Sequence, residues 1–277
     1  MIKKLFLGII TVSISGILSA QDARTFGSIY EKSIGDAKKI DYAHLREADA
    51  IWSKRYYRLI DLREKINQPL YYPTLPTNDG RRNFITIILE EIKAKRLKAY
   101  DPLDIAINTT YEDIERKMGA RTRTESIVIN ELGATREDTV KDDPKPSEVK
   151  QLLVYEEWFF NKKLSRFDVR IIAIQPIYMG FDEELGRALR SPLFWIKFDE
   201  VRDVLAREEV FLNNNDAQRL SFDDLFMQRR FGSVIYGESN AYNDRYISDY
   251  TVGKYSLYEA EKIKTELFNF EHDLWEY

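Results

Sequence analysis

Ile51-Trp52-Ser53-Lys54-Arg55-Tyr56-Tyr57-Arg58-Leu59-Ile60-Asp61-Leu62-Arg63-Glu64-Lys65-Ile66-Asn67-Gln68-Pro69-Leu70-Tyr71-Tyr72-Pro73 is the stretch on which the reading of this chain turns. Trp52, Leu59, Leu62 and Ile66 recur at helical spacing, and Tyr56 joins their face. The spacing predicts a helix with arginine and lysine on its other side. Proline disfavours helical geometry in the residue before it, so Asn67-Gln68-Pro69 is expected to end that helix. Tyr71, Tyr72 and Pro73 then form an aromatic extended segment. An aromatic, arginine-rich helix running into such a segment suits a docking surface better than an active site. Phe226, Arg229, Phe231, Val234 and Glu238 echo Trp52, Arg55, Tyr57, Ile60 and Glu64 later in the chain.

Upstream of this stretch, Lys3 and Lys4 precede an apolar run from Leu5 to Ile17, and Leu18-Ser19-Ala20 offers a small residue before Gln21. That is the pattern of a cleaved export signal over residues 1–20. The run is shorter than the roughly 20 residues that span a bilayer, so a membrane anchor is the less favoured reading. Residues 21–41 are polar and read as an extended arm. Arms of this kind either stay loose or lie on a neighbour, and loose is the default. Asp41–Gln68 reads as one long helix or two.

Downstream, Leu70–Gly80 is a proline-rich loop. Arg81–Tyr100 is the clearest helix, with Phe84, Ile85, Ile88, Leu89 and Ile92 on one face. Leu103, Ile105 and Ile107 alternate as a short strand, after which Thr109 or Thr110 caps a helix through Met118. Arg121–Asn130 is a strand. Glu131–Lys150 is charged, contains Pro144 and Pro146, and reads as a hinge or long loop. Ser147–Trp158 begins with a helical turn and continues as strand. Arg166–Met179 is expected to be the central strand, ended by Gln175-Pro176. Asp182–Arg190 is a short helix or turn, Leu193–Phe198 a strand and Glu200–Glu208 a helix. Asn213–Asp216 is a turn, Ser221 caps a helix, Ser239–Gly253 is loop-like and Leu257–Phe270 is the last helix. Residues 101–114 and 191–204 share Pro, Leu and Asp at an offset of 90, which hints at an internal duplication. The fold class is α+β, helix-rich, with a mixed or antiparallel sheet. Residues 42–277 form one domain or two lobes, 42–130 and 151–277, joined by 131–150.

Composition limits the chemistry. The chain has 277 residues, 44% of them apolar and 13% aromatic, which suits a folded core rather than disorder. Lys+Arg 42 against Asp+Glu 46 leaves a net charge of −4, a mixed surface with no basic excess for nucleic acid. Cysteine is absent, which removes disulfides, thiolate–zinc sites, a thiol nucleophile and a lipoprotein anchor. His44 and His272 are the only histidines. No dinucleotide, Walker, nucleophile-elbow or zincin motif is present. Glu271-His272-Asp273 reads as a solvated turn rather than a metal site. Glu90-Glu91, Glu183-Glu184 and Asp223-Asp224 read as solvated faces rather than glycosidase carboxylates. Arg55, Arg58, Arg63, Arg229 and Arg230 have acidic neighbours and read as salt-bridged helix faces rather than phosphate sites. Trp158 and Trp195 fit a core, Trp52 fits core or interface equally, and Trp275 fits an interface.

Together these residues resemble the GldN/PorN family of the type IX secretion and gliding-motility system of Bacteroidetes. The resemblance rests on the export signal and on the run from Trp52 to Leu70. Asp168-Val169-Arg170-Ile171-Ile172, Arg230-Phe231 followed by Glu238-Ser239-Asn240, and Glu271-His272-Asp273-Leu274-Trp275-Glu276-Tyr277 support it. It implies a periplasmic, non-enzymatic ring subunit held at the outer membrane by a GldK/PorK-type lipoprotein, with itself and inner-membrane motor components as further contacts. No cofactor, metal, nucleic acid or membrane span is implied. Trp52, Arg55, Tyr57, Tyr71, Tyr72, Arg230, Phe231, Trp275 and Tyr277 are the expected partner-interface residues. A periplasmic carbohydrate-binding module or hydrolase is the alternative.

Overall fold

Ala50–Asp61 is a strand, β1, and not a helix. The correction has a clear cause. β1 lies inside a sheet with protein on both faces, so Trp52, Tyr56 and Ile60 are apolar on one face while Tyr57 and Leu59 are apolar on the other. Strict alternation is lost in such a strand, and the remaining apolar residues fall at helical spacing by coincidence. The β-branched and aromatic content was the better signal. Pro69 does not end a helix either. It sits in the first turn of α1 (Gln68–Tyr71), where its missing N–H has no partner to lose.

The computed structural model describes residues 36–274 apart from 76, 78–79, 121, 129–134, 142–143, 183–185 and 213–218. The export signal, residues 21–35 of the arm, Glu183-Glu184, the turn at Asn213–Asp216, Trp275 and Tyr277 lie outside the described residues. After α1 come α2 (Phe84–Lys93), β2 (Ala99–Tyr100), β3 (Asn108–Thr109) and α3 (Tyr111–Lys117). A hairpin of β4 (Thr122–Val128) and β5 (Thr135–Lys141) follows, then β6 (Val149–Asn161), β7 (Arg166–Asp182), β8 (Arg187–Pro192) and β9 (Ile196–Lys197). The remainder is α4 (Phe198–Leu205), β10 (Glu209–Val210), β11 (Leu220–Ser221), α5 (Phe222–Met227), β12 (Val234–Glu238) and α6 (Lys254–Asp273). The main sheet runs β12-β1-β6-β7-β8 and is antiparallel throughout, with β9 also on β7. The class is α+β, and one sheet takes β1 from before the β4–β5 hairpin and β6, β7, β8, β9 and β12 from after it.

Several expectations hold. Thr110 caps α3 by accepting from the Asp113 N–H, and Ser221 with Asp224 forms a reciprocal cap on α5. A helical turn at Pro146–Glu148 leads into β6 as read. Others need correction. The segment 131–150 is not all loop, because it contains β5. Asp182–Arg190 turns into β8 rather than a helix. Pro176 does not end β7. Its carbonyl accepts from the Leu193 N–H (3.0 Å), at the place where the neighbour changes from β9 to β8, so the missing N–H breaks no ladder there. Leu103 and Ile107 are exposed in a loop rather than a strand. Leu103 is 92% exposed where its offset counterpart Leu193 is 0%, so the two segments hold different places in the fold.

Opposed residues on neighbouring strands share a face. Trp52, Tyr56, Arg58 and Ile60 stand opposite Phe160, Glu156, Val154 and Leu152. On this face α2, α4 and α5 bury Phe84, Ile88, Phe198, Leu205, Phe222 and Phe226 against Ile60, Leu152, Val154 and Ile174. α6 covers its other end, with Ala260, Ile263 and Leu267 packed on Tyr56 and Ile235 and beside Trp52 and Trp158. All these helices therefore lie on one face. The opposite face holds a smaller cluster, Tyr100, Leu153, Ala173, Ile177 and Trp195, edged by half-buried Tyr57, Leu59, Tyr155 and Tyr236. The described end of the arm is docked, not loose. Lys39 pairs with Asp199 and Asp203 (3.5 Å each), and Arg202 donates to the Ile40 carbonyl (2.6 Å). The Tyr42 ring lies between the Arg202 and Arg170 guanidiniums, 4.6 and 5.1 Å away.

Candidate protein-protein interface

The arginines of the central stretch meet one carboxylate. Glu156 of β6 is fully buried, opposite Tyr56. Arg229, just past α5, donates to it at 2.8 Å, Trp158 Nε1 donates at 2.8 Å, and Arg58 Nε lies 2.6 Å from Oε1. Both guanidiniums stack on Trp158, at 5.6 and 5.5 Å. Burial pulls the Arg58 pKa down, and the Glu156 charge opposes that pull. Because the carboxylate draws its partners from three separate parts of the chain, this centre binds those parts together. A second centre does the same under the arm. Arg202 is fully buried and bidentate to Asp223 (2.8 and 3.1 Å). Of the five arginines read as salt-bridged, Arg58 and Arg229 pair with Glu156 and Arg63 with Asp61, none of them along a helix.

The acidic pairs split in the same way. Glu90 bonds Arg82, Glu91 bonds Arg96 (2.6 Å), Asp223 holds Arg202, and Asp224 caps α5. Each carboxylate has its own structural partner. Among the described residues no group of His, Asp or Glu could hold a metal ion. Among them, too, no helix is long and apolar enough to cross a membrane.

Of the nine expected interface residues, the seven that are described do not converge on one patch. Phe231 is buried against Phe226, and Tyr71 bonds the Ser147 carbonyl (2.8 Å) and packs on the main core; these two serve the fold. Trp52 is half-buried between Phe167 and Phe270, with ring centroids 5.3 and 5.1 Å away. Tyr57 stacks on Tyr155 at 4.7 Å and meets Tyr246 edge-on at 5.2 Å. Burial pushes the phenols of Tyr57 and Tyr246 up, and neighbouring Tyr155 and Tyr236 add to it. Gly237 bridges Tyr246 through the backbone, and a Cβ there would lie 2.9 Å from the Tyr246 ring. Arg55, Tyr72 and Arg230 are exposed, and stand on β1, after α1 and after α5. Trp158 and Trp195 pack inside, as read.

The structure shows an exposed aromatic patch elsewhere. Tyr242, Tyr250, Val252, Tyr255, Leu257 and Tyr258 are exposed around the start of α6, with Tyr255 at 65% and Tyr258 at 66%. Arg245 lies between the rings of Tyr242 and Tyr250 (4.8 and 4.7 Å). A patch of this composition suits a contact surface. The four-residue spacing of Tyr242, Tyr246 and Tyr250 was the available signal, and only Tyr246 of the three turns inward. Among the described residues the arrangement offers surfaces and no constellation of nucleophile, base and oxyanion donor.

A family model described as "Gliding motility associated protein GldN" matches residues 45–276. No curated protein matches the chain.

Proposed function

The chain belongs to the family of gliding motility associated proteins GldN, and on that premise we propose that it is a structural subunit of the type IX secretion and gliding machinery. The match over nearly the whole described chain carries this reading. The chain works in the periplasm, associates with itself in a ring, and is held beneath the outer membrane by a GldK/PorK-type lipoprotein. Three features support a role in assembly. An export pattern stands at residues 1–20, no cysteine is present to carry a lipid, and the two buried carboxylates Glu156 and Asp223 are held in internal ion pairs. An exported protein with no lipid anchor needs an anchored partner to act at a membrane.

Purification of the tagged chain from envelope fractions, followed by sizing, tests this. The expected result is a large complex containing an outer-membrane lipoprotein. A solitary monomer that binds glycans would overturn it in favour of a carbohydrate-binding module.

A further inference from the structure

The paired strands β1 and β6 end in unlike surfaces. At one end Asp61 stands opposite Gln151, and a pocket of about 250 Å³ opens between β1, β12 and the start of α6. Leu59, Val234, Ile247 and Leu257 give it apolar walls, with Asp61, Glu64 and Gln151 at its polar side. No lysine or arginine is among the described lining residues. Arg63 takes up Asp61 (2.9 Å), and Arg190 reaches the Tyr236 ring from outside the lining. Exposed Glu64 has no ion pair to a described residue; its side chain meets only the Asn67 amide, at 3.4 Å. Gln151 Oε1 is buried and has no hydrogen-bond partner among the described residues. The pocket therefore combines apolar walls with open acceptors and lacks a cation.

At the other end Ala50 stands opposite Asn161, and the β6–β7 turn carries Lys162-Lys163-Leu164. Leu164 is 46% exposed. Both lysines are exposed and neither pairs with a described carboxylate. Asn161 Oδ1 accepts from the Lys163 and Leu164 N–H groups (3.1 and 3.3 Å), which fixes the shape of the turn. The other lysine-rich turn, at 93–98, buries its one leucine, Leu97. An apolar tip beside unpaired ammonium groups is the complement of the pocket. We propose that the Lys162–Leu164 turn of one copy of the chain enters this pocket on a second copy. Leu164 then packs between Leu59 and Leu257, and a lysine ammonium donates to Glu64 and Gln151 Oε1. The inference rests on the self-assembly reading above and names the two surfaces that meet.

Geometry bars the chain from filling its own pocket. Gln151 and Asn161 lie at opposite ends of β6, and both are held in the ladder with β1. At roughly 3.3 Å per residue they are about 30 Å apart, far beyond the reach of a lysine. Only another copy brings turn and pocket together. The two surfaces differ, so the contact repeats head to tail, and such contacts close into rings when the rotation allows.

The chain has no native cysteine, so introduced thiols report without background. Leu164→Cys is placed in one full-chain preparation and Ser256→Cys, in the pocket wall, in another. The two are mixed and treated with a mild oxidant. The expected product is a disulfide-linked pair of chains, in several-fold excess over either variant oxidised alone. One chain carrying both cysteines should give a ladder of linked multimers. Glu64→Lys should lower the mixed yield roughly threefold, and Lys162→Glu with Lys163→Glu on the other chain should restore it. Absence of the cross-link, closure within one chain, or a yield that Glu64→Lys leaves unchanged overturns the proposal. If the cross-link is absent and Glu64→Lys instead releases the lipoprotein, the pocket belongs to that partner. If the cross-link fails while a large complex still copurifies, the pocket assignment falls and the assembly reading stands. If both fail, both fall.

Discussion

The two faces of β1 are built from the same residue types and do different work. On one face Arg58 and Trp158 are locked around a fully buried Glu156 and closed over by helices. On the other, Tyr57, Tyr155, Tyr236 and Tyr246 pack ring on ring with loops for cover, and Arg190 stacks on Tyr236 (5.6 Å) at their border. The difference teaches where an arginine–aromatic stretch stores stability and where it stays available. A charge sealed from water must keep every partner, whereas stacked tyrosines at an edge lose only contact area when one is removed.

The sharpest way to break this contrast is Glu156→Ala. It leaves Arg58 and Arg229 facing each other without a counter-charge in a buried site. Removing one partner of a buried pair costs about 3–5 kcal/mol. Urea unfolding should show a loss of that size at constant slope. A loss below about 1 kcal/mol would mean that water reaches the centre and that the two faces are alike.

The tyrosine face gives a smaller effect that depends on pH. Burial raises the Tyr57 phenol above its ordinary 10.0, so the folded chain holds it neutral where the unfolded chain ionises it. The stability tied to this group is complete below pH 10 and is lost as pH rises further. Tyr57→Phe keeps the ring and removes the ionisation. It should change stability at pH 7 by less than about 1 kcal/mol and make the protein more resistant to unfolding above pH 10. Thermal melts at pH 7 and pH 11 decide it, and an equal shift at both removes the linkage.

How much of this was legible follows from the same faces. Where one side only is buried the pattern read truly: the apolar face of α2, the caps of α3 and α5, and the body of α6 were all visible, although α6 runs on through Asp273, past the expected end at Phe270. The class followed from those. β1 was not legible, because two covered faces erase the period of two that marks a strand. Two of the expected interface residues were misread for a related reason. Phe231 and Tyr71 look adhesive in a linear sequence, and only long-range contacts, to Phe226 and to Ser147, show that they are occupied. The Glu156 centre joins residues from three separate stretches, so no local spacing could announce it.

Outside both faces, substitution should leave the fold nearly untouched. Tyr255→Ser with Tyr258→Ser removes two exposed rings, and the melting temperature should stay within the change expected for about 0.5 kcal/mol. Trp275→Ala should likewise keep the melting temperature while reducing the size of the envelope complex. Wild-type complex size in that variant would take the tail out of the interface.

The smallest expected effect lies where β1 leaves the sheet. Arg63 donates to Asp61 from its guanidinium (2.9 Å) and from its backbone N–H (3.0 Å), and these bonds hold the Asp61 carboxyl below its ordinary 3.8. A depressed carboxyl contributes stability above its unfolded value, and that contribution fades as pH falls through 3.8 and below. Arg63 is largely exposed, so screening by water keeps the pair worth under about 1 kcal/mol. Asp61→Asn should therefore cost a few tenths of a kcal/mol at pH 7, and the difference from wild type should be smaller at pH 3. Paired urea titrations at the two pH values measure it. A loss at pH 7 as large as that of Glu156→Ala would show that the end of β1 is as sealed as its middle, and the contrast between guarded and open arginine pairs would then not hold even along a single strand.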